Sequence, residues 1–154
     1  PKKGSSHILR IIRELITFQP RSKGTDITTA LQYFNNVQKK KCTAFLLSDF
    51  YDTNYEDALK IASRKHDLAA IRITDEKEHS LPNLGLVKFY DPETGRTTWV
   101  DTSSAEVRET FATASLQKME QTNTLMKKYG IDNTTLYTGE DFVKPLMKLF
   151  KYRA

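Results

Sequence analysis

Apolar residues recur at helical spacing in five segments of the chain and form short continuous runs in three others. This spacing predicts helices over residues 7–18, 26–39, 54–65, 105–129 and 140–152. The short runs are too short for free-standing helices, and they predict strands over residues 42–47, 68–73 and 134–137. The first two strands and the helix between them form a βαβ unit, which we expect to be parallel with a right-handed crossover.

The ends of two of these helices carry recognisable capping signals. Ser5 or Ser6 is expected to cap the first helix, and Ser103 or Ser104 the long fourth one. Gly130 follows the long helix at the position where a left-handed residue commonly ends a helix.

A hairpin is expected between the second strand and the long helix. Residues 85–90 and 97–101 are short β-type runs around a turn that contains Pro92 and Gly95. Because the hairpin interrupts the strand–helix alternation, we place it as an insertion on the edge of the sheet. The pattern predicts an α/β fold: a partial doubly wound, Rossmann-like, mostly parallel sheet with flanking helices. The run over residues 43–47 is typical of a parallel strand that is covered on both faces.

Composition narrows the class of protein. The 154 residues carry a formal net charge of +5, with 38% hydrophobic and 28% charged residues, which is typical of one soluble domain. No apolar run approaches the roughly 18 residues that a membrane span needs, and the start lacks the apolar core of a signal peptide. The single cysteine, Cys42, suits a reducing compartment, so we expect a cytoplasmic protein.

Few residues of the sequence are candidates for a catalytic or metal-binding role. The three histidines and Cys42 show no metal-ligand spacing, no glycine-rich phosphate loop is present, and no nucleophile triad can be assembled, so we expect no catalytic residues. What remains is Thr25 and Asp26 in one loop, with Ser48 and Asp49 at the end of a strand. Both loops should open onto the carboxyl edge of a parallel sheet, where hydroxyl and carboxylate oxygens suit Mg²⁺. The alternative is structural: Thr25 caps a helix and Asp49 begins a turn.

Several separated motifs resemble one family. The segments HILRIIRELITFQP, GTDITTALQYF, KKKCTAFLLSDFYD, HDLAAIRITD, DPETGRTTWVDTS and YTGEDFVKPLMKLFK resemble the C-terminal part of bacterial DUF58 proteins, which contain a von Willebrand factor A-like domain. The resemblance implies a doubly wound sheet with a metal-ion-dependent adhesion site. It implies that Thr25 is the ligand from the second loop and that Asp49 is the ligand from the third, often through water. Asp26 and Ser48 would support them.

The first ligand loop of that family, Asp-x-Ser-x-Ser, does not occur in the sequence. The resemblance therefore implies that residues 1–154 are the C-terminal part of a single von Willebrand factor A-like domain, without its first strand. We expect Mg²⁺ in the full-length protein and none in this fragment. We also expect the fragment to self-associate, because the strand over residues 42–47 would keep an uncovered edge.

The function that the resemblance implies is a non-enzymatic protein-interaction module, working with a MoxR-type AAA+ ATPase in complex assembly and binding neither nucleic acid nor membrane. One alternative is a Mg²⁺-dependent phosphoryl-transfer hydrolase using Asp49, Asp52 or Asp75, although Tyr51 stands where a paired acid would be expected. The other alternative is a basic nucleic-acid binder acting through residues 39–41. A solvated helix end explains those lysines equally well.

Overall fold

The computed structural model describes residues 4–19, 24–91 and 95–153. The described helices are α1 (Ser5–Thr17), α2 (Ile27–Val37), α3 (Glu56–Lys65), α4 (Ala105–Lys128) and α5 (Val143–Arg153), with a short 3₁₀ turn at Glu76–Glu78. The described strands are β1 (Thr43–Ser48), β2 (Asp67–Thr74), β3 (Leu86–Tyr90), β4 (Thr97–Asp101) and β5 (Asp132–Tyr137). Within those ranges, no helix is long and apolar enough to cross a membrane.

Three strands form a parallel sheet in the order β1-β2-β5. Ser48 lies opposite Arg72 between β1 and β2, and Thr74 lies opposite Tyr137 between β2 and β5. All three carboxyl ends therefore meet at one edge of the sheet, as the apolar runs predicted. The expected α/β fold is confirmed, with helices flanking a mostly parallel sheet.

The hairpin is confirmed, but it forms a sheet of its own. Strands β3 and β4 pair antiparallel, with Val87 opposite Val100. Thr102, only 1% exposed, closes its base: its hydroxyl accepts from the Leu84 N–H at 2.9 Å and donates to the Gly85 carbonyl at 2.7 Å. Residues 92–94 of the predicted turn lie outside the described part of the chain.

One face of the parallel sheet carries the main core. Leu68 and Ala70 of β2 share this face, because side chains alternate along a strand. They belong to one buried cluster with Leu59 of α3, Leu31 of α2 and Met126 of α4. Helices α2, α3 and α4 therefore pack on this face of the sheet and fix the position of its carboxyl edge.

The other face is covered only in part, so β1 is not enclosed on both faces as expected. Helix α5 lies against β5 and reaches β1 through a ring contact of 5.7 Å between Phe45 and Phe150. Phe45 nevertheless stays 43% exposed and Leu47 57%. Because β1 also stands at the edge of the sheet, one covering helix does not reach across its whole surface.

Helix α1 has no buried residue, although it carries the apolar stripe that predicted it. The two serines expected as caps, Ser5 and Ser6, are its first helical residues, so its N-cap is Gly4, at φ 111°, and no side chain caps it. The capping predictions for α4 are confirmed. The Ser104 hydroxyl accepts from the Val107 N–H at 3.4 Å, and Gly130 follows the helix with φ 62°.

Candidate functional site

The two loops singled out by the sequence are hydrogen-bonded to each other. Asp52, in the loop between β1 and α3, accepts a hydrogen bond on Oδ2 from the Ile27 N–H at 2.7 Å. The Thr28 hydroxyl donates to the Asn54 carbonyl at 3.3 Å in the same region. Thr25 directly precedes this helix start, so its loop lies beside the loop that follows Asp49.

Asp26 is the N-cap of α2. Its Oδ1 accepts from the Thr29 N–H at 2.7 Å and its Oδ2 from the Thr29 hydroxyl at 2.7 Å. These hydrogen bonds lower the pKa of Asp26 below its ordinary value, and the bond from the Thr29 N–H has the largest effect. Both carboxylate oxygens therefore serve the helix end, so Asp26 takes the capping role that the structural alternative gave to Thr25.

Asp49 occupies a different position, because it is exposed and only one of its oxygens is used. Oδ1 accepts from the Tyr51 N–H at 3.2 Å and from the Ser48 hydroxyl at 3.4 Å. Within the described residues, Oδ2 accepts no hydrogen bond. Phe50 beside it adopts a left-handed φ of 61° while only 2% exposed, so the buried ring anchors the turn. The arrangement leaves one hard oxygen at the carboxyl edge for solvent or a cation.

The residues fit part of a Mg²⁺ site. Thr25 and Asp49 offer oxygen ligands, and Mg²⁺ commonly takes one or two protein carboxylates while keeping several waters. In the part of the chain that the structure describes, no three histidine, cysteine or acidic side chains group closely enough to hold a metal ion. The two residues could thus supply two positions of a shell that needs further ligands.

The other acids named for a phosphoryl-transfer site make structural hydrogen bonds. Asp52 also accepts from the Thr53 N–H at 2.6 Å. Asp75 accepts from the Thr138 hydroxyl at 2.5 Å and from the Lys77 N–H at 2.9 Å, at the start of the 3₁₀ turn. These two hydrogen bonds lower the pKa of Asp75 below its ordinary value, and the bond from Thr138 has the larger effect. Each of these two acids joins loops at the carboxyl edge.

Sequence reasoning missed a hydrogen-bonded chain beneath this edge. His79 Nδ1 lies 2.7 Å from the Ser115 hydroxyl, and Nε2 lies 3.2 Å from the Thr74 hydroxyl, which donates to Glu78 at 2.9 Å. The order resembles a serine activated by histidine. The adjoining cavity, however, is only about 20 Å³, about the room of one water. We interpret the chain as a structural link between α4 and the loop after β2.

A larger cleft of about 510 Å³ opens beside the Asp52 loop, between the start of α3 and α4. Its wall includes Lys118, whose ammonium donates to the Asp52 carbonyl at 3.1 Å. At its rim, Glu56 accepts from Lys128 and from the Tyr129 hydroxyl, both at 2.7 Å. The lysines at 39–41 precede β1 and so lie at the opposite, amino edge of the sheet.

Comparison with known proteins assigns the family. The family described as "Protein of unknown function DUF58" matches residues 1–121. The chain belongs to the DUF58 family. It is 26% identical over 158 residues to an uncharacterized protein of Mycobacterium avium, covering 99% of this chain and 92% of that protein.

Two longer relatives also match. Uncharacterized proteins of Mycobacterium bovis and Mycobacterium tuberculosis are each 22% identical over 155 residues, covering 99% of this chain. The chain spans 49% of the length of each, about half. No solved structure matches the chain. The resemblance seen in the sequence motifs is thus confirmed for the family.

Proposed function

We propose that this DUF58 chain is part of a von Willebrand factor A-like, non-enzymatic protein-interaction module with a metal-ion-dependent adhesion site. The observation that carries the proposal is the hydrogen bond between Asp52 and the Ile27 N–H, 2.7 Å long. It fastens the loop of Thr25 to the loop that follows Asp49, at the edge where open α/β sheets bind ligands. The remaining ligands come from outside these residues.

Within this site the side chains have different tasks. Thr25 would contribute its hydroxyl directly, and Asp49 would act through a bound water from its available Oδ2. A bound Mg²⁺ supplies a strong positive charge with an open position, which an acidic side chain of another protein completes. Asp26 and Ser48 keep the two loops in shape through their hydrogen bonds to Thr29 and Phe50. Asp52 joins the loops and takes no part in coordination.

The partner that we propose is a MoxR-type AAA+ ATPase, with the module acting in the assembly of protein complexes in the cytoplasm. The exposure of Asp49 supports a surface contact, as does the open, polar cleft beside the Asp52 loop.

The chain also has a surface through which it can contact a second copy of itself. Strand β1 hydrogen-bonds to β2 alone among the described strands, so its other edge can pair with a second copy. Phe45 and Leu47 add exposed apolar surface beside that edge. We propose that isolated chains associate through β1.

The proposed function is tested by measuring binding of the MoxR-type ATPase from the same organism to the full natural protein, with Mg²⁺ and with a chelator. Binding should require Mg²⁺ and should be lost in Asp49→Ala. Glu109→Ala, which removes an exposed acid of α4 that does not line the cleft, is the matched control and should bind normally. Equal binding with the chelator, or normal binding by Asp49→Ala, would overturn the proposal.

A further inference from the structure

The hairpin and the first turns of α4 enclose an open groove of about 610 Å³. Its apolar lining comes from the hairpin, the loop before it and α4: Leu81, Phe89, Val100, Val107, Phe111 and Ala114. Phe89 and Phe111 are 39% and 37% exposed, so two aromatic side chains offer surface to a ligand. A concave apolar surface of this size is typical of a binding site.

Hydrogen bonds between the hairpin and the helix hold this groove in shape. Arg108 Nη1 donates to the Thr102 carbonyl at 2.7 Å and to the Ser103 carbonyl at 2.8 Å. Thr102 in turn closes the base of the hairpin. Because the two walls are already joined, a ligand does not have to order them on binding.

Glu106 is the only charged side chain among the described residues that line the groove. It is exposed, and its carboxylate forms no ion pair within the described structure. Arg108, the cation nearest to it in the sequence, donates to the two carbonyls of the hairpin base. An apolar groove with one unpaired carboxylate is complementary to an apolar group that lies next to a positive charge.

The groove lies at the same end of the molecule as the Asp49 loop. Helix α4 passes the carboxyl edge at Ser115, which lines one small cavity together with Asp49, and continues to Met126 in the core. The turns before Ser115 therefore project beyond this edge. Phe111 and Val107 lie roughly 6 and 12 Å from Ser115 along the helix axis, at about 1.5 Å per residue. A protein bound at Asp49 is thus within reach of the groove.

We propose that this groove is a second contact for the protein that binds the metal-dependent site. It takes a large apolar side chain of that partner, next to a lysine or arginine that pairs with Glu106. The inference rests on the proposed function, because it assigns the groove to the same partner. It also gives the hairpin, which does not extend the parallel sheet, a role as one wall of the binding surface.

The chemistry of the groove is tested by NMR titration of the unaltered chain with phenylpropylammonium and phenylpropionate, which share an aromatic body and carry opposite charges. The ammonium should bind about two- to fivefold more tightly, as expected for an exposed ion pair, and should shift the methyl resonances of Val100 and Val107. Glu106→Gln should remove this preference. Glu109→Gln, which changes an exposed acid of α4 outside the groove, should keep it.

Equal binding of the two probes, or shifts confined to other residues, would overturn the proposal. A full natural protein in which neither probe shifts Val107 would also overturn it, because another part of that protein would then fill the groove.

The contact with the partner is tested by binding of the MoxR-type ATPase to the full natural protein in Mg²⁺. Phe111→Ala should weaken binding about tenfold or more, as for an aromatic anchor, with its Mg²⁺ affinity unchanged. Leu116→Ala removes a 60% exposed side chain of α4 outside the groove and should bind normally. Glu106→Lys leaves the apolar lining intact and should also weaken binding, so it decides the outcome if Phe111→Ala does not fold.

Mg²⁺-dependent binding that is equally strong in the wild-type protein and these groove variants would overturn this inference alone. Absence of Mg²⁺-dependent binding by the wild-type protein would overturn the proposed function, and this inference with it.

Discussion

At the scale of single residues, Asp49 and Asp52 are the same residue type in the same loop, but their hydrogen bonding gives them different roles. Asp52 accepts from two backbone N–H groups, at 2.7 and 2.6 Å, whereas the shortest bond to Asp49 is 3.2 Å. Asp52→Ala should lower the free energy of unfolding by about 1–2 kcal/mol, as expected for the loss of helix-capping hydrogen bonds. Asp49→Ala should change it by less than about 0.5 kcal/mol, as for exposed sites in general.

Urea unfolding of both variants measures this difference. Equal destabilisation by the two substitutions would contradict the division between a residue that holds the loops together and a residue that is available for binding.

His66 should make the stability of the protein depend on pH. It is 2% exposed and packs on Phe34 with ring centres 4.6 Å apart. Burial first, and then the nearby charge of Lys65, lower the pKa of His66 below 6.5. The unfolded chain therefore takes up a proton before the folded one does. The contribution of neutral His66 is complete above 6.5 and is lost as the pH falls through that value towards the folded-state pKa.

Thermal unfolding between roughly pH 7 and pH 5 tests this linkage. His66→Phe, which retains a ring against Phe34, should lose less stability on acidification than the wild-type protein. His7→Gln removes a histidine from α1 and should keep the wild-type slope. A wild-type slope in His66→Phe would show that other groups cause the pH dependence.

At the scale of elements, α5 is fastened to the amino ends of two strands by its last described residue. Arg153 Nη1 donates to Asp132 at 2.8 Å, and Nη2 donates to Asp67. The Arg153 bond is the first cause that lowers the pKa of Asp67. The ion pair between Arg153 and Asp67 therefore stabilises the fold at pH values above the ordinary carboxyl pKa. This contribution is lost as the pH falls through the lowered pKa of Asp67 in the folded protein.

Arg153→Ala should cost about 1–2 kcal/mol of unfolding free energy, a discounted value for charged hydrogen bonds with half-exposed acids. The loss should be smaller at high salt and at acidic pH. Lys151→Ala, at an exposed position of the same helix, should be nearly neutral in chemical denaturation. An equal cost for the two variants would contradict the fastening role.

Strand β1 is the element that governs association of isolated chains. Leu47→Lys places a charge on its exposed surface, where edge lysines oppose strand pairing, and should shift the protein towards monomer. Ile61→Lys is the matched control, because Ile61 is a similarly exposed apolar residue, at 58%, that lies on α3 and not on β1. Light scattering that finds wild-type monomer at high concentration would refute association through β1.

At the scale of the whole molecule, the sequence was sufficient for the order of elements and the parallel sheet. Continuous apolar runs separated by helical periods have few other arrangements, and caps such as Ser104 and Asp26 act through local bonds. Local patterns could not predict how far helices cover the sheet. Leu47 is as apolar as the buried Leu59, yet it is exposed because nothing in the described structure lies over it.

Contacts between polar residues that are far apart in the chain could also not be predicted from the sequence. Arg72 interrupts an apolar run and would be expected at the surface, yet α4 buries it. The pairing of His79 with Ser115 joins residues 36 positions apart, and a serine inside a helix gives no local sign of it. By contrast, the neighbouring positions of the Thr25 and Asp49 loops were expected, because β1 ends at the carboxyl edge and α2, which leads back to the start of β1, begins there.

The central claim is tested most directly by calorimetric titration of Mg²⁺ into the full natural protein that carries this chain. Mg²⁺ should bind to the wild-type protein and to Asp57→Ala, and binding should be lost in Thr25→Ala and in Asp49→Ala. The 154-residue chain alone should bind weakly or not at all. Absence of binding by the full protein, or unchanged binding by Asp49→Ala, would contradict the adhesion-site account.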